Sequence, residues 1–331
     1  MTDIIAFTTM KNEGPYMLEW IAHYRMLGVD RFVIFTNDCL DGTDRIAMRL
    51  EELGIAKHVD NAVQPRNKPQ RQMFQRMYAN PEWRDANWLF CLDCDEFLNV
   101  RHPSGSLRGI IDHAQTNGGY LDAISFAWKL FGTGGNIAFE DTPLTRRFLL
   151  ADNEDRYHSS RAFGLKTLFR NNDAFGGYRP HRPHWLTERR EVRWSDPSGN
   201  KRPTDKIGWR AWPGFDHSQA RMHHYAVRSL ESFLVKRDRG RTNHVGDDQG
   251  EQYWLDMNAN HARDESIVPL ASRADPILAE LKSDDVLSRL HNEAVGWHRT
   301  KIDELLARDD WTEFRAWLNR NLYGVRENAA A

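Results

Sequence analysis

Two aspartates at the end of an apolar stretch are the residues of this sequence best suited to chemistry. Asp93 and Asp95 directly follow the run 88–92, and a short apolar run with aromatic residues predicts an interior strand of a parallel sheet. Ligands bind beyond the carboxyl ends of such strands. A spacing of two puts both carboxylates on one face of extended chain, where they could hold a divalent cation and leave coordination positions for phosphates. We expect Glu96 to face away from this pair.

Two cysteines in the same stretch, Cys91 and Cys94, form a Cys-x-x-Cys pattern that redox and zinc sites also use. A redox pair requires a helix N-terminus, and a zinc site requires about four ligands. The sequence shows neither. Residues three apart on a strand face opposite sides, so we interpret both thiols as small buried side chains. Asp-x-Asp alone could mark a surface turn, and the apolar run before it is what favours a binding site.

The composition is that of an ordinary globular chain. Its 331 residues are enough for one large core or two smaller ones, and a formal net charge of −2 argues against a general nucleic-acid surface. Three cysteines provide no disulfide framework and favour a reducing compartment. No segment approaches the roughly 18 apolar residues of a membrane span, and no cleavable leader is recognisable. We therefore expect a cytoplasmic protein without a transmembrane segment, for which peripheral membrane association stays open.

Strands and helices alternate in the first part of the chain, which predicts a mostly parallel, Rossmann-like α/β sheet. The predicted elements are strands at 4–7, 31–35 and 56–60 and helices beginning at Gly14, Thr43 and Gln70. Crossovers of the usual hand would bring the strand ends 8–13, 37–43 and 93–96 to one edge, where they form a crevice for a nucleotide. No glycine-rich dinucleotide motif follows the first strand, and the sequence contains no P-loop.

The later part of the chain has a different pattern. We predict a strand at 122–131 and an amphipathic helix at 228–240, with Lys236 in a basic cluster on the polar side of that helix. Between 140 and 220, short strands and turns are crowded with Arg, His and Trp. We expect this region to form the part of the site that binds an acceptor substrate. Beyond about residue 262 the chain is predicted to be helical.

Several blocks of the sequence, in this order, resemble the bacterial family-2-like glycosyltransferases, which have a GT-A fold. The blocks are Lys11-Asn12-Glu13-Gly14 with Glu19-Trp20, Asn37-Asp38 with Asp41-Gly42-Thr43, Asp93-x-Asp95-Glu96-Phe97-Leu98, Phe131-Gly132, His224-Tyr225 and 236–240. Their order and spacing are more specific than any single block. The resemblance implies a GT-A-like catalytic domain over residues 1–262 and a C-terminal helical extension over residues 263–331.

The resemblance also implies a function. It is transfer of a sugar from a nucleotide-diphosphate donor to a glycan or other hydroxyl acceptor, with Mn²⁺ or Mg²⁺ as cofactor. A cation that bridges both phosphates would stabilise the charge on the leaving diphosphate. The implied metal ligands are Asp93, Asp95 and His224. The implied donor-binding residues are Lys11, Asn12, Glu13, Asp38, Asp93 and Lys236.

The general base and the class of protein stay open at this point. Family-2-like enzymes generally invert the anomeric centre, which requires a base on the acceptor hydroxyl, and Asp155, Asp216 and Asp248 are equal candidates. A nucleotidyltransferase would also use paired carboxylates, but it should carry a glycine- and arginine-rich phosphate loop after the first strand. A non-catalytic glycan-binding protein would keep the fold with a decayed site, and the intact acidic pair and His224 argue against decay.

Two adjacent histidines allow a direct test of the implied metal site. Neighbours on a strand face opposite ways, so only one of His223 and His224 can reach the metal. Imidazole suits Mn²⁺ better than Mg²⁺, and we expect His224→Ala to raise the Mn²⁺ concentration that half-maximal turnover requires by about tenfold or more. His223→Ala is the matched control. A raised requirement in the His223 variant, or in neither, would contradict the assignment.

Overall fold

The computed structural model of the protein describes residues 3–64, 67–153, 159–185, 191–202, 208–240 and 249–324. The helices in these ranges are α1 (Gly14–Met26), α2 (Thr43–Glu52), α3 (Pro69–Ala79), α4 (Leu107–Gly118), α5 (Leu144–Arg147), α6 (Leu230–Arg239), α7 (Glu251–Met257), α8 (Val268–Ser272), α9 (Asp275–Ser283), α10 (Asp285–Ala307) and α11 (Thr312–Arg320). The strands are β1 (Ile4–Met10), β2 (Arg31–Thr36), β3 (Ala56–Asp60), β4 (Trp88–Cys91), β5 (Glu96–Val100), β6 (Ala123–Leu130), β7 (Leu150–Ala151), β8 (Leu165–Arg170), β9 (Phe175–Tyr178), β10 (Pro183–Trp185), β11 (Trp194–Ser195), β12 (Ala220–His224) and β13 (Ala262–Arg263). None of the described helices combines the length and the apolar character that crossing a membrane requires.

A sheet of nine strands, counted over the described residues, forms the centre of the protein. Its order is β3-β2-β1-β4-β8-β6-β12-β5, and β11 pairs with β6 outside this path. The pairs β1–β2, β1–β4 and β2–β3 are parallel, whereas β8 runs antiparallel between β4 and β6. At the far edge, β12 is parallel to β6 and antiparallel to β5. The predicted α/β class, with a mostly parallel sheet between helices, is confirmed.

Alternation along the strands divides the apolar side chains between the two faces of the sheet. On β1, Ile4 and Ala6 belong to one buried cluster, and Ile5 and Phe7 belong to the other. Buried side chains of α1, α2, α4, α6 and α10 belong to the first cluster, and those of α3 belong to the second. Removal of this apolar surface from water is the main force that holds the helices against the sheet.

Helix α1 illustrates how local sequence specifies an element and attaches it to the sheet. Pro15 lies in the first turn, where its missing N–H has no cost. Trp20 is fully buried and donates its indole N–H to the carbonyl of Asp93 over 3.1 Å. Gly28 follows the helix with a φ of +93°, which residues with a side chain rarely adopt. The helix therefore supports the loop that carries the acidic pair.

The acidic pair lies in a tight turn between β4 and β5. Asp93 follows β4 and Asp95 immediately precedes β5, so the two carboxylates are not on extended chain as their spacing predicted. Cys91 and Cys94 are both buried and belong to opposite core clusters. The interpretation of the two thiols as buried side chains on opposite sides is therefore confirmed.

The C-terminal helices pack on the same face as α1. Helices α9 and α10 contact α1, and α10 also contacts α2 and α6. The hydroxyl of Tyr16 lies 3.1 Å from the hydroxyl of Ser232 on α6, and His298 of α10 lies 3.3 Å from that same group. These polar contacts join the first helix, the helix that carries Lys236 and the C-terminal part. The division into residues 1–262 and 263–331 stays a prediction.

Phe90 provides a test of the core around β4. Its ring is fully buried and lies 6.3 Å from the ring of Tyr24 and 5.6 Å from that of Phe126. We expect Phe90→Ala to lower the free energy of unfolding by about 3 to 5 kcal/mol. The control is Leu40→Ala, at a side chain that is 71% exposed, and it should change this quantity by at most about 0.5 kcal/mol. Urea denaturation measures both, and equal stability of the two variants would contradict the expectation.

Candidate functional site

A cavity of about 490 Å³ lies at the carboxyl ends of β1 and β4, between the loops that follow these strands, the end of β12 and helix α6. Its position agrees with the general location of ligand sites in open α/β sheets. The described residues that line it are Thr9, Lys11, Glu13, Gln70, Asp93, Cys94, Asp95, Trp128, Arg161, Pro180, His181, Trp209, His224, Lys236, Arg239, Gly240, Gln249, Tyr253 and Met257.

Asp95 lies between a lysine and a histidine of this cavity. Its Oδ2 accepts a hydrogen bond of 2.7 Å from Lys236 Nζ, and its Oδ1 is 3.5 Å from His224 Nε2. Burial raises the pKa of Asp95, but the attraction of Lys236 and then of His224 outweighs burial and holds this pKa well below its ordinary value. Asp95 is therefore an ionised carboxylate at neutral pH.

Lys236 is a buried residue of the cavity. Besides its bond to Asp95, it donates to the carbonyl of Ala226 over 2.6 Å. The sequence places Lys236 on the polar side of its helix, and the structure buries this side chain because it reaches the turn that holds Asp95.

A second charged group lies behind the turn. The fully buried Nζ of Lys166, on β8, is 2.8 Å from Asp93 Oδ2 and 3.1 Å from Glu96 Oε2. Glu96 also accepts hydrogen bonds of 2.9 Å from the backbone N–H of Asp93 and from the indole N–H of Trp128. The expectation that Glu96 faces away from the acidic pair is therefore wrong, because the chain turns between these residues. Burial raises the pKa of Glu96, against the attraction of Lys166.

Glu13 joins the loop after β1 to the segment around α6. Its carboxylate accepts a hydrogen bond of 2.8 Å from Arg228 Nη2 and a second one from Arg239. Burial raises the pKa of Glu13, and the two guanidinium groups more than offset burial, so this pKa lies below its ordinary value. The guanidinium of Arg228 also lies 3.7 Å from the centre of the Tyr16 ring. Both oxygens of Glu13 are thus already bound within the protein.

Aromatic rings form one wall of the cavity. The ring of Trp128 lies between those of His224 and His181, at centroid distances of 4.4 and 5.2 Å, and Trp209 follows His181 at 5.3 Å. Burial lowers the pKa of His181 to about 4, so this imidazole is uncharged at neutral pH. The wall therefore offers flat, largely apolar faces beside charged groups, an arrangement that suits a sugar ring.

The structure brings several of the residues predicted from sequence to this cavity. Those that line it are Lys11, Glu13, Asp93, Asp95, His224 and Lys236. Asn12 and Asp38 do not line it. Both adopt positive φ angles, of 53° and 47°, and the side chain of Asn12 accepts a hydrogen bond from the backbone N–H of Leu40. These two residues lie in the loops after β1 and β2, and their role in donor binding stays a prediction.

Of the three candidate bases, Asp216 lies in the described part of the chain. Asp216 does not line the cavity, and its carboxylate accepts hydrogen bonds from the backbone and the hydroxyl of Ser218. Asp155 and Asp248 lie outside the described residues.

Sequence reasoning missed some residues of the site, above all Lys166, Arg228 and Trp128. One signal was available for Lys166, because it is the second residue of the otherwise mostly apolar strand Leu165–Arg170. A lysine in such a strand requires a buried anionic partner. Neither Arg228 nor Trp128 carries a comparable local signal.

Asp95 and His224 could together hold a divalent cation. Two neighbouring ligands that each lie about 2.1 Å from a cation are about 3.0 to 3.5 Å from each other, and Asp95 Oδ1 and His224 Nε2 are 3.5 Å apart. A carboxylate oxygen with an imidazole nitrogen is a donor set that transition-metal ions accept. No group of three or more His, Cys, Asp or Glu side chains is arranged for a metal in the described part of the chain. The carboxylate of Asp93 is instead bound to Lys166.

His223 and His224 do face opposite sides of β12. The ring of His223 is fully buried and lies 3.3 Å from the side-chain amide of Asn99 and next to the ring of Phe131. Of the two histidines, only His224 lines the cavity.

The fold and the cavity define an α/β protein with a charged ligand site at the carboxyl ends of parallel strands. In sequence, the chain is similar to a glycosyltransferase family 92 protein of Ricinus communis, with 25% identity over 130 residues that cover 39% of this chain and 22% of that protein. A glycosyltransferase family 92 protein of Arabidopsis thaliana is 29% identical over 97 residues, which cover 29% of this chain and 16% of that protein. The chain thus matches about a fifth of the length of these relatives. No protein-family model matches the chain.

Among solved structures, the alignment with S. aureus TarS 1-349 covers 96% of this chain and 78% of the TarS chain, at 12% identity and a TM-score of 0.34. The alignment with TarS 1-349 in complex with UDP covers 42% of this chain and 38% of the TarS chain, at 13% identity and a TM-score of 0.29. TM-scores of this size do not establish a common fold. The fold class is therefore based on the observed sheet.

The buried group around Lys166 leads to a stability test. Lys166→Met leaves the carboxylates of Asp93 and Glu96 without their buried countercharge, and it should lower the free energy of unfolding by about 3 to 5 kcal/mol. Adding Glu96→Gln removes the buried acidic group that has lost its partner but keeps a side-chain carbonyl that can accept a hydrogen bond. The double variant should therefore recover at least about 1 kcal/mol. Urea denaturation measures the cycle, and losses that simply add would contradict the observed pairing.

Proposed function

We propose that this protein is a metal-dependent glycosyltransferase that uses a nucleotide-diphosphate sugar and inverts the anomeric centre. The observation that carries this proposal is the grouping of Asp95, His224 and Lys236 in one cavity at the carboxyl ends of parallel strands. The similarity to family 92 glycosyltransferases supports it. In the reaction, the acceptor oxygen bonds to the anomeric carbon, the bond from that carbon to the diphosphate breaks, and the acceptor proton passes to a base.

Positive charge in the cavity suits the diphosphate of the donor. Lys11, Arg161, Lys236 and Arg239 line it, and ammonium and guanidinium groups form strong hydrogen bonds with phosphate oxygens. Lys11 is only loosely paired, since its Nζ is 3.9 Å from the exposed carboxylate of Asp38. It can therefore turn toward a phosphate at little cost.

Asp95 and His224 are the residues that we propose for the metal. Mn²⁺ or Mg²⁺ bound there would stabilise the negative charge that develops on the leaving diphosphate. Lys236 keeps Asp95 ionised and holds one of its oxygens in place, 2.7 Å from Nζ. Its ammonium group also adds positive charge beside the diphosphate.

The aromatic wall and the acceptor side complete the proposal. Trp128 and Trp209 offer faces against which the donor sugar or the acceptor can pack. The carboxylates that line the described part of the cavity, Glu13, Asp93 and Asp95, are each bound to a lysine or an arginine. We therefore infer that the base is a carboxylate other than these three.

Donor binding is the experiment that tests this function. We expect one nucleotide diphosphate or its sugar, from a set with uridine, guanosine and cytidine, to raise the unfolding temperature only when Mn²⁺ is present. At a hundredfold excess over its dissociation constant, such a ligand adds about 2.7 kcal/mol of stability. Asp95→Asn should lose most of this gain, because it removes the anionic ligand, and should also lose metal-stimulated turnover.

The matched control is Asp216→Asn, which makes the same chemical change at a carboxylate away from the cavity and should keep the gain. Circular dichroism verifies that both variants are folded. A full gain in Asp95→Asn, or in wild-type protein with excess chelator, would contradict metal-dependent donor binding.

A further inference from the structure

A second cavity, of about 560 Å³, opens beside the first one, between helix α3 and strand β9. Pro180 lines both cavities. A third cavity, of about 240 Å³, shares Tyr78 and Tyr178 with the second. The shared residues make the second cavity a neighbour of both the donor cavity and the third cavity. We call the second cavity the α3–β9 groove, after the elements on its two sides.

The α3–β9 groove carries an excess of positive charge. Lys68, Arg71 and Arg179 line it and are all exposed, and no acidic residue lines it in the part of the chain that the structure describes. Within that part, the side chains of these three residues make no ion pair. The whole chain has a formal net charge of −2, so this local excess does not follow from its composition. Three uncompensated cations around one cavity favour an anionic ligand.

The repulsion between basic groups next to the groove is visible in a neighbouring residue. Burial lowers the pKa of Arg182, and the charge of Arg179 lowers it further. An anion that bound at Arg179 would relieve this repulsion.

The shape of the groove suits an extended ligand with rings. Arg71 and Tyr78 lie two turns apart on the same side of α3, about 10 Å along its axis. Tyr78 is 38% exposed, and its ring lies 5.5 Å from that of Tyr178 on the opposite side. Gly176 and Gly177 of β9 contribute no side chains, so this strand leaves the groove open. The groove thus combines exposed charged groups with the partly exposed ring of Tyr78.

We propose that the α3–β9 groove binds the acceptor, and that this acceptor is an anionic glycan with phosphate or carboxylate groups. The inference rests on the proposed function, because the groove is taken to lead an acceptor hydroxyl past Pro180 into the donor cavity. Lys68, Arg71 and Arg179 pair with successive anionic groups of the glycan, and Tyr78 packs against a sugar ring. A nucleic acid is disfavoured, since the chain as a whole is not basic.

Binding without any donor tests this inference separately from catalysis. The probes are fluorescently labelled oligogalacturonate, which carries carboxylates, and inorganic polyphosphate. A dextran oligomer is the neutral control, and single-stranded DNA of matched charge represents nucleic acid. We expect fluorescence anisotropy at about 0.1 M salt to show at least one anionic probe bound about tenfold more tightly than dextran and DNA. The tighter of the two anionic probes identifies the anionic group.

Variants then locate the binding. Arg71→Gln combined with Arg179→Gln should weaken binding of the anionic probe by about tenfold or more, because two charge-assisted contacts are lost. Arg320→Gln, at an exposed arginine at the end of α11, is the matched control and should bind as wild type does. Lys68→Gln alone should cause a smaller loss, and unfolding temperatures verify that all variants are folded. Binding that is equal in the double variant and the control would overturn the inference, as would DNA or dextran that binds as tightly as the anionic probes.

Donor binding separates the failure of this inference from failure of the proposed function. Arg71 and Arg179 do not line the donor cavity, so the double variant should keep its metal-dependent stabilisation by the donor and should show a raised KM for the acceptor. A protein that binds the donor but neither anionic probe would overturn the groove alone. A protein that binds an anionic probe in the groove but no nucleotide sugar would overturn the proposed glycosyl transfer, and with it the acceptor role.

Discussion

Neutralisation of buried charge is the constraint on which the candidate site depends. Asp95 is 7% exposed and Glu96 is fully buried, and an unpaired carboxylate in such surroundings costs several kcal/mol. Lys236 and Lys166 supply the opposite charges from positions 141 and 73 residues away from Asp95 and Asp93. The carboxylate of Asp95 therefore stays ionised only when α6 is packed against it, and the buried Glu96 has a countercharge only when β8 is in place. The site is therefore complete only when the sheet is assembled.

More of the fold than of the site could be predicted from the sequence. Each of the strands predicted at 4–7, 31–35 and 56–60 coincides with or lies within an observed strand, and the helix predicted at 228–240 contains α6. These elements have a local signature, namely a run of apolar residues with polar residues at its end, or apolar residues at helical spacing. The order of the strands in the sheet has no such signature. Insertion of the antiparallel β8 between β4 and β6 was not predicted for that reason.

The site residues that the sequence did not reveal are brought to the site by that strand order. Lys166 reaches Asp93 only because β8 lies beside β4, so its role could not be seen in the residues around it. Lys236 was placed on the polar side of its helix, and amphipathic spacing does not show which charged residue of that side the neighbouring loop will cover. Asp95 and His224 came together in the sequence analysis through the order of several blocks along the chain. Local patterns would not have paired them.

The outer edge of the sheet affects how copies of this protein behave toward each other. Strand β3 has only five residues, and its exposed side chains include Lys57 and Asp60, the first of which pairs with Glu51 of α2. A strand from a second molecule that paired with this edge would have to desolvate these charges and break this ion pair. The edge thus resists intermolecular strand addition. We therefore expect this edge to oppose β-sheet aggregation that begins at β3 in concentrated solutions of the folded protein.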